Sequence, residues 1–342
     1  MPEADAYAMM AQIQWTFEIV IGLLSFAVNI YSWRKFKQVQ TFSLNLRFML
    51  RQISFLGSAV ALTHPILCSL PSDFYAYDTA AKRTLFLYFL HFICNICLTV
   101  NDVKHLLIAV ERHYALKYRT TYENRDNLVG KVLFYGVMSV ATLIFSARAV
   151  FFLFYNSENI PLDVRLHRSF VFEGSIYFFT VMYGVASISV VAGMVKLSYI
   201  QKTVQTLHYT GDSLSERFLL KEMTVVVDCW KVLVRMFGVG LVIAYIGLCG
   251  IWYCYKNYYF FALELQPEYK MWSNIAFLAL SGYNLVSSMS LLWLLRPIRK
   301  LIQDDLHHYF GIRSQQVDVV TRNDFDGEDH FDYLKKVWNI PK

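Results

Sequence analysis

Seven long stretches without a charged side chain dominate this 342-residue sequence. An α-helix needs roughly 20 apolar residues to cross the hydrocarbon core of a bilayer, and most of these stretches approach that length. Because backbone in hydrocarbon must satisfy its own hydrogen bonds, such stretches favour helices. The sequence therefore predicts an all-α membrane protein, a bundle of seven transmembrane helices. The uncharged stretches are Ile19 to Trp33, Gln52 to Ser72, Thr84 to Asn101, Val132 to Ala147, Gly174 to Val195, Met236 to Tyr255 and Met271 to Leu295.

The predicted boundaries extend two of these stretches past charged residues, the third through Asp102 and Lys104 and the fourth past Arg148. Beyond Pro297, apolar residues recur at helical spacing opposite charged ones, which predicts an amphipathic eighth helix at the membrane interface over 297–310. The acidic segment 311–342 is predicted to form a cytoplasmic tail. After a segment at 1–12, the predicted spans are residues 13–33, 46–70, 84–110, 131–155, 171–197, 231–255 and 271–295.

Basic residues are distributed unequally between the two sets of loops. Nineteen Lys and Arg residues border the spans on one side and six on the other, and cytoplasmic loops retain the larger number. This bias predicts a multi-pass plasma-membrane protein with its N-terminus outside and its C-terminus inside. The net charge of +6 lies at the borders of apolar runs rather than in a stripe with aromatics, so no nucleic acid partner is predicted.

Polar residues within the third span are candidates for function, because ionisable groups at membrane depth are costly. Asn101, His105 and Arg112 fall on one helical face, with Lys104 at its edge, while Asp102 points about 100° away. We interpret the face as a polar switch strip that ends at the cytoplasmic mouth. The alternative is a set of snorkelling or locally paired residues near the headgroups.

Arg148 lies about 10 Å inside the outer end of the fourth span, at 1.5 Å per residue, so it needs a partner. A ligand anion, a Tyr, Glu158 or a backbone carbonyl could fill that role. Further polar or aromatic residues at similar depth could line a ligand pocket, although each is also compatible with packing. The candidate pocket consists of His64, His91, Cys94, Arg148, Tyr177, Tyr183, Tyr245, Tyr283 and Asn284.

Motifs of common enzyme classes are missing from the sequence. It contains no Gly-rich phosphate loop, no closely spaced His/Glu metal motif and no nucleophile elbow. The seventh span contains no lysine, which excludes a retinal Schiff base there. We therefore expect neither an enzyme nor a bound cofactor or metal.

Three segments, taken in order, form a specific pattern. The first is ERHYALKYRTTYENR from Glu111 to Arg125, with the Glu-Arg pair followed by Tyr122 and Glu123. The second is LSERFLLKE from Leu214 to Glu222, and the third is HFDYLKKVW from His330 to Trp338. In this order the segments resemble the nematode Sra-like superfamily of serpentine chemoreceptors, and most closely its Sre and Srab families. This chain has Glu222-Met223 where those families usually continue Glu-Asn.

The resemblance implies a seven-helix receptor in the cilia of sensory neurons that binds a small environmental molecule and activates a heterotrimeric G protein. An ion channel with its N-terminus inside, or a carrier with paired carboxylates or broken helices at the midplane, are the alternatives. The predicted switch and G-protein-coupling face consists of Asn101, Asp102, Lys104, His105, Glu111, Arg112, Tyr122, Glu123, Leu214, Ser215, Arg217, Glu222, Lys231 and Arg235.

Overall fold

The computed structural model describes residues 2–39, 42–70, 72–75, 81–120, 122, 128–155, 160–207, 214–257 and 267–310, and these ranges contain helices and turns but no strand. Glu123, Glu158 and the predicted tail 311–342 lie outside the described residues. The helices are α1 (Pro2–Gln38), α2 (Leu44–Ser69), α3 (Ala81–Lys117), α4 (Leu128–Val150), α5 (Leu162–Phe170), α6 (Ile176–Leu207), α7 (Leu214–Asn257), α8 (Pro267–Leu294) and α9 (Arg296–Phe310).

Seven of these helices, all except α5 and α9, are long and apolar enough to cross a membrane. The most apolar 18-residue stretch of each of these helices has a mean hydropathy between 1.2 and 2.2 and few charged residues. The predicted seven-helix membrane fold is therefore confirmed. α9 is the expected additional helix, and it carries charged and apolar residues in alternation along its 15 residues.

Several helices continue well beyond the predicted spans. α7 has 44 residues and begins at Leu214, whereas the predicted sixth span begins at residue 231. The extra turns contain Glu216, Lys221 and Glu222, so the segment similar to the chemoreceptor pattern is part of this helix. A hydropathy pattern marks only the apolar part of a helix, so the predicted span does not include these charged turns.

Successive long helices run in opposite directions, which gives the bundle two ends. We call the end where α3 finishes and α7 begins the Arg112 end, and the opposite end, which carries α5, the Arg148 end. α3 is the most enclosed of the seven long helices, because 67% of its most apolar 18-residue stretch is buried. The corresponding share for α4 is 22%. Polar residues of α3 are therefore enclosed by protein rather than exposed to lipid.

α1 and α2 cross at close range because Gly22 has no side chain. A Cβ added there would lie 2.3 Å from the carbonyl oxygen of Ala61 and 3.2 Å from Cγ of Pro65. Pro65 lies inside α2 and lacks an N–H, so the Ala61 carbonyl loses its usual helical hydrogen bond and faces α1. This crossing sets α1 against the half of α2 that carries His64.

Candidate switch and ligand sites

A fully buried guanidinium forms the centre of the Arg112 end. Arg112 donates from Nε to Glu111 Oε2 at 2.6 Å and from Nη2 to Glu111 Oε1 at 2.7 Å. Neither side chain is exposed. Paired hydrogen bonds between Arg and a carboxylate are among the strongest polar contacts in proteins, so Glu111 holds the guanidinium in one orientation.

The same guanidinium joins α3 to two other elements. Its Nη1 donates to Glu222 Oε1 on α7 at 2.6 Å, and its Nη2 donates to Oγ of Ser43, which precedes α2, at 3.0 Å. Ser43 also donates to Glu222, from Oγ at 3.2 Å and from its backbone N–H at 3.3 Å. We call Ser43, Glu111, Arg112 and Glu222 the Arg112 cluster. It connects the chain before α2, the end of α3 and the start of α7.

Tyr122 lies beside this cluster, in the segment between α3 and α4, and is almost fully buried. Its hydroxyl donates to Glu111 Oε1. Burial, together with the adjacent Glu111 carboxylate, raises the pKa of Tyr122 above its ordinary value, so the hydroxyl remains a proton donor. Arg119 pairs with Glu216 and makes a second contact between the end of α3 and the start of α7.

A second polar group lies deeper in the bundle. His105 Nε2 and the Tyr283 hydroxyl are 2.7 Å apart and join α3 to α8. Lys104 donates to Asn101 at 2.9 Å, and its ammonium lies 4.9 Å from the centre of the Tyr283 ring. The predicted strip on α3 is therefore buried and locally paired. Asp102 is also buried, and its Oδ1 has no hydrogen-bond partner among the described residues.

A small cavity of about 10 Å³, which leaves space for the centre of one water molecule, adjoins this group. Lys104, Tyr283 and Asn284 are among the residues that line it. Asn284 donates to the carbonyl of Gly57 at 3.1 Å, and so connects α8 to α2. The cavity is too small for a metabolite, so it does not serve as the ligand pocket.

Arg148 at the other end of the bundle contacts backbone carbonyls, one of the partners expected from the sequence. Nε donates to the Arg168 carbonyl at 2.9 Å and Nη2 to the Val171 carbonyl at 2.6 Å. The guanidinium also lies 4.2 Å from the centre of the Phe178 ring. Arg148 therefore fastens the end of α5 and the chain that follows it to α4.

His167 on α5 is surrounded by positive charge. Burial among protein groups, reinforced by Lys270, Arg148 and Arg168, lowers the pKa of His167 from 6.5 to about 4. The ring keeps a little exposure to solvent, but three cations nearby all oppose its protonation. At neutral pH the imidazole is uncharged.

The two other predicted histidines also have specific partners. His91 Nε2 lies 2.9 Å from the hydroxyl of Tyr75, and His64 Nδ1 lies 2.9 Å from Glu18 Oε1. Cys94 accepts a hydrogen bond from Thr63 at 3.4 Å. Contacts of this kind secure α1, α2 and α3 to one another at the Arg148 end.

Three predicted pocket tyrosines form a separate group on α6 and α7. Tyr177 and Tyr245 are 58% and 56% exposed, so both face the outside of the bundle. The hydroxyl of Tyr177 contacts that of Tyr255 at 2.9 Å, and the rings of Tyr183 and Tyr245 are 6.2 Å apart. A side chain that faces outward does not line a pocket inside the bundle, so Tyr177 and Tyr245 are not part of the proposed ligand site.

The remaining predicted switch residues of α7 lie outside the Arg112 cluster. Lys231 donates to Gln201 of α6 at 2.6 Å, whereas Arg217 and Arg235 are exposed. Leu214 and Ser215 belong to the first turn of α7, and their side chains lie outside the described part of the structure. None of these five is part of the Arg112 cluster in the described structure.

Sequence reasoning missed three residues that form these sites. Ser43 lies outside the predicted spans, and a Ser immediately before a helix is its one local signal in the sequence. The uncharged stretch begins at Ile19 and leaves Glu18 out, although a carboxylate inside the predicted span 13–33 is a signal of function. Ser281 donates to the same Glu18 oxygen at 3.1 Å, and a serine within an apolar span carries no distinctive signal.

Seven spanning helices around a buried Glu-Arg pair define a membrane protein of the serpentine receptor class. The model of the family described as serpentine type 7TM GPCR receptor class ab chemoreceptor (Srab) matches residues 6–338. The chain therefore belongs to the Srab family of chemoreceptors, one of the two families that the sequence motifs indicate. No protein with a curated description matches the chain.

Proposed function

We propose that this chemoreceptor binds a small environmental molecule at the Arg148 end and activates a heterotrimeric G protein at the Arg112 end. The N-terminus lies outside the cell, in agreement with the unequal distribution of Lys and Arg. By family resemblance, its location is the plasma membrane of sensory cilia. The chemoreceptor class is not an enzyme family, so we propose a receptor without catalytic turnover.

The Arg112 cluster is the observation that carries this proposal. A single guanidinium bridges Glu111 on its own helix and Glu222 on α7. Arg112 and Glu111 are fully buried, and the Glu222 side chain is 10% exposed. Hydrogen bonds to charged groups contribute about 1.5–3 kcal/mol, so the contact of Arg112 with Glu222 stabilises the arrangement in which α3 and α7 are joined. Such a contact favours two discrete arrangements, one with α3 and α7 joined and one with them apart. The joined arrangement described above corresponds to the resting receptor.

The ligand acts by preferring the separated arrangement. His64 of α2 stacks on Phe277 of α8, and Asn284 of α8 donates to the Gly57 carbonyl of α2. A change in helix packing at the Arg148 end is therefore transmitted along α8 to its contact with α3. Both residues of the His105–Tyr283 pair are at least 94% buried, which makes the pair a direct mechanical connection between those two helices.

The test is nucleotide exchange on a G protein reconstituted with the receptor in lipid vesicles. The intact chain and an Arg112→Glu variant are challenged with the same panel of small metabolites. We expect at least one compound to stimulate exchange by the intact chain and none to stimulate exchange by the variant. If the panel evokes no exchange and opens a conductance instead, the protein is a channel and the proposal is wrong.

A further inference from the structure

A thiol, an imidazole and a carboxylate form a hydrogen-bonded series at the Arg148 end. Cys68 Sγ lies 3.4 Å from His64 Nε2, and His64 Nδ1 lies 2.9 Å from Glu18 Oε1. Cys68 and His64 are one helical turn apart on α2, while Glu18 reaches them from α1. Ser281 on α8 donates to the same oxygen of Glu18 at 3.1 Å. Three helices therefore contribute to one arrangement.

The carboxylate orients the imidazole through a hydrogen bond to Nδ1. Glu18 is 1% exposed and accepts from Nδ1, so the proton of the neutral ring is on Nδ1 and the lone pair of Nε2 faces the thiol. The ring is held further by Phe277, which stacks on it with centres 3.9 Å apart. An oriented base next to a thiol is the arrangement that converts cysteine into its reactive thiolate form.

Cys68 is also accessible at the end of the bundle. It is the penultimate residue of α2, at the end of the bundle, and is partly exposed, whereas His64 and Glu18 are buried beneath it. Cys94, Cys97, Cys229 and Cys254 are buried, which leaves Cys68 as the only partly exposed cysteine that contacts a histidine in the described structure.

We propose that Cys68 captures electrophilic small molecules of the α,β-unsaturated carbonyl class by covalent addition. Sulfur attacks the β-carbon while His64 Nε2 takes the thiol proton, so a C–S bond forms and the C=C π electrons move to give an enolate. The protonated imidazole then returns that proton, which ends on the α-carbon. The product is a thioether that contains every atom of both reactants, and no oxidant or leaving group is involved. Glu18 is a positioning residue that stabilises the imidazolium.

This capture chemistry is independent of the proposed G-protein coupling, and only its consequence for signalling depends on that proposal. An adduct on Cys68 would lie next to His64, which stacks on Phe277 of α8 and contacts Glu18 of α1. The adduct could therefore change the packing of α1 and α8. The test below therefore uses the full chain in lipid nanodiscs without a G protein. Failure of the capture reaction would leave the coupling test unaffected, and the reverse also holds.

The probe is N-ethylmaleimide, with N-ethylsuccinimide, which lacks the reactive double bond, as the control compound. Rates of adduct formation at each cysteine are followed by peptide mass spectrometry. We expect Cys68 to react at least tenfold faster than the exposed Cys249, and N-ethylsuccinimide to give no adduct. An ordinary thiol loses reactivity about tenfold per pH unit below its pKa, whereas Cys68 should lose less than tenfold between pH 8 and pH 6.5.

Variants separate activation from mere accessibility. His64→Gln should slow the Cys68 reaction at least tenfold and restore the steep dependence on pH, and Glu18→Gln should do the same to a smaller degree. His167→Gln, which removes an imidazole on α5 at the same end, should change neither. Equal rates at Cys68 and Cys249 in the intact chain, with a tenfold loss per pH unit at both, would overturn the proposal without any variant.

Discussion

Arg112 on α3 and Glu222 on α7 are 110 residues apart in the sequence, and their side chains meet at 2.6 Å inside the bundle. The same guanidinium is already paired with Glu111, so two carboxylates share one cation. Glu222 can leave this contact while Glu111 keeps Arg112 neutralised. Glu111 is the neighbouring residue on α3, so it stays beside Arg112 when α3 and α7 separate. We infer that Glu222 is the releasable partner and that α7 is the element that moves.

Replacing Tyr283 with Phe should weaken the connection between α3 and α8. The variant keeps the ring that packs beside Phe237 and loses the hydroxyl that contacts His105. An unsatisfied buried polar group costs about 1–3 kcal/mol, so the unfolding temperature in detergent should fall and ligand-stimulated nucleotide exchange should decrease. Trp293→Phe on the same helix, at an exposed position, is the matched control. Unchanged stability and exchange in Tyr283→Phe would mean that this contact transmits nothing.

Replacing Arg148 with Lys should loosen the chain around α5. Lysine retains the charge but cannot donate simultaneously to the Arg168 and Val171 carbonyls from one planar group. Hydrogen bonds to charged groups contribute about 1.5–3 kcal/mol, so amide hydrogen exchange across 162–171 should accelerate tenfold or more. Lys256→Gln changes an exposed cation at the same end and should leave this exchange unaltered. A protection pattern identical to that of the intact chain would contradict the role assigned to Arg148.

His167 should make the folded protein sensitive to acid. Its folded pKa is about 4 against 6.5 for the free side chain, so the unfolded chain binds the proton first as the pH falls. The contribution of neutral His167 to stability is therefore present above pH 6.5 and is lost progressively between pH 6.5 and pH 4. Unfolding temperatures measured across this range should fall less steeply for His167→Gln than for the intact chain. His307→Gln, an exposed position on α9, should leave the slope unchanged, and equal slopes for all three proteins would exclude this role for His167.

Gly22 should be intolerant of even a methyl group. The added Cβ of Gly22→Ala would lie 2.3 Å from a backbone oxygen of α2, which cannot move aside as a flexible side chain could. Overpacking of this kind costs about 1–3 kcal/mol and should lower the unfolding temperature. Gly136→Ala on α4 is the matched control because no atom lies within 4 Å of its added Cβ. If both variants unfold at the same temperature, α1 and α2 do not cross as closely as described.

The fold could be predicted from the sequence because hydropathy acts locally. Each span can be predicted from its own apolar residues. The Glu111-Arg112 pair and the turns around Glu222 are also contiguous motifs in the sequence. Tertiary pairing is different, because nothing local in the sequence indicates that Ser43 reaches Arg112 or that Ser281 reaches Glu18. Such contacts depend on how helices rotate about their axes.

Side-chain direction explains the remaining differences. Tyr177 and Tyr245 have the same residue type as the buried Tyr283, yet they face outward. α6 and α7 are apolar on all sides in this region, so periodicity does not distinguish the face towards lipid from the face towards protein. Arg148 shows the opposite case, since its depth alone required a partner and the structure supplies two carbonyls.

The most direct test of the central claim is basal nucleotide exchange by a Glu222→Gln variant reconstituted with a G protein in the absence of any ligand. The amide removes the ion pair between α3 and α7 while Glu111 keeps Arg112 neutralised. We predict that basal exchange rises severalfold over that of the intact chain, and that Lys221→Gln, at the exposed neighbouring position, leaves it unchanged. Basal exchange by Glu222→Gln equal to that of the intact chain would contradict the assignment of the Arg112 cluster as the switch.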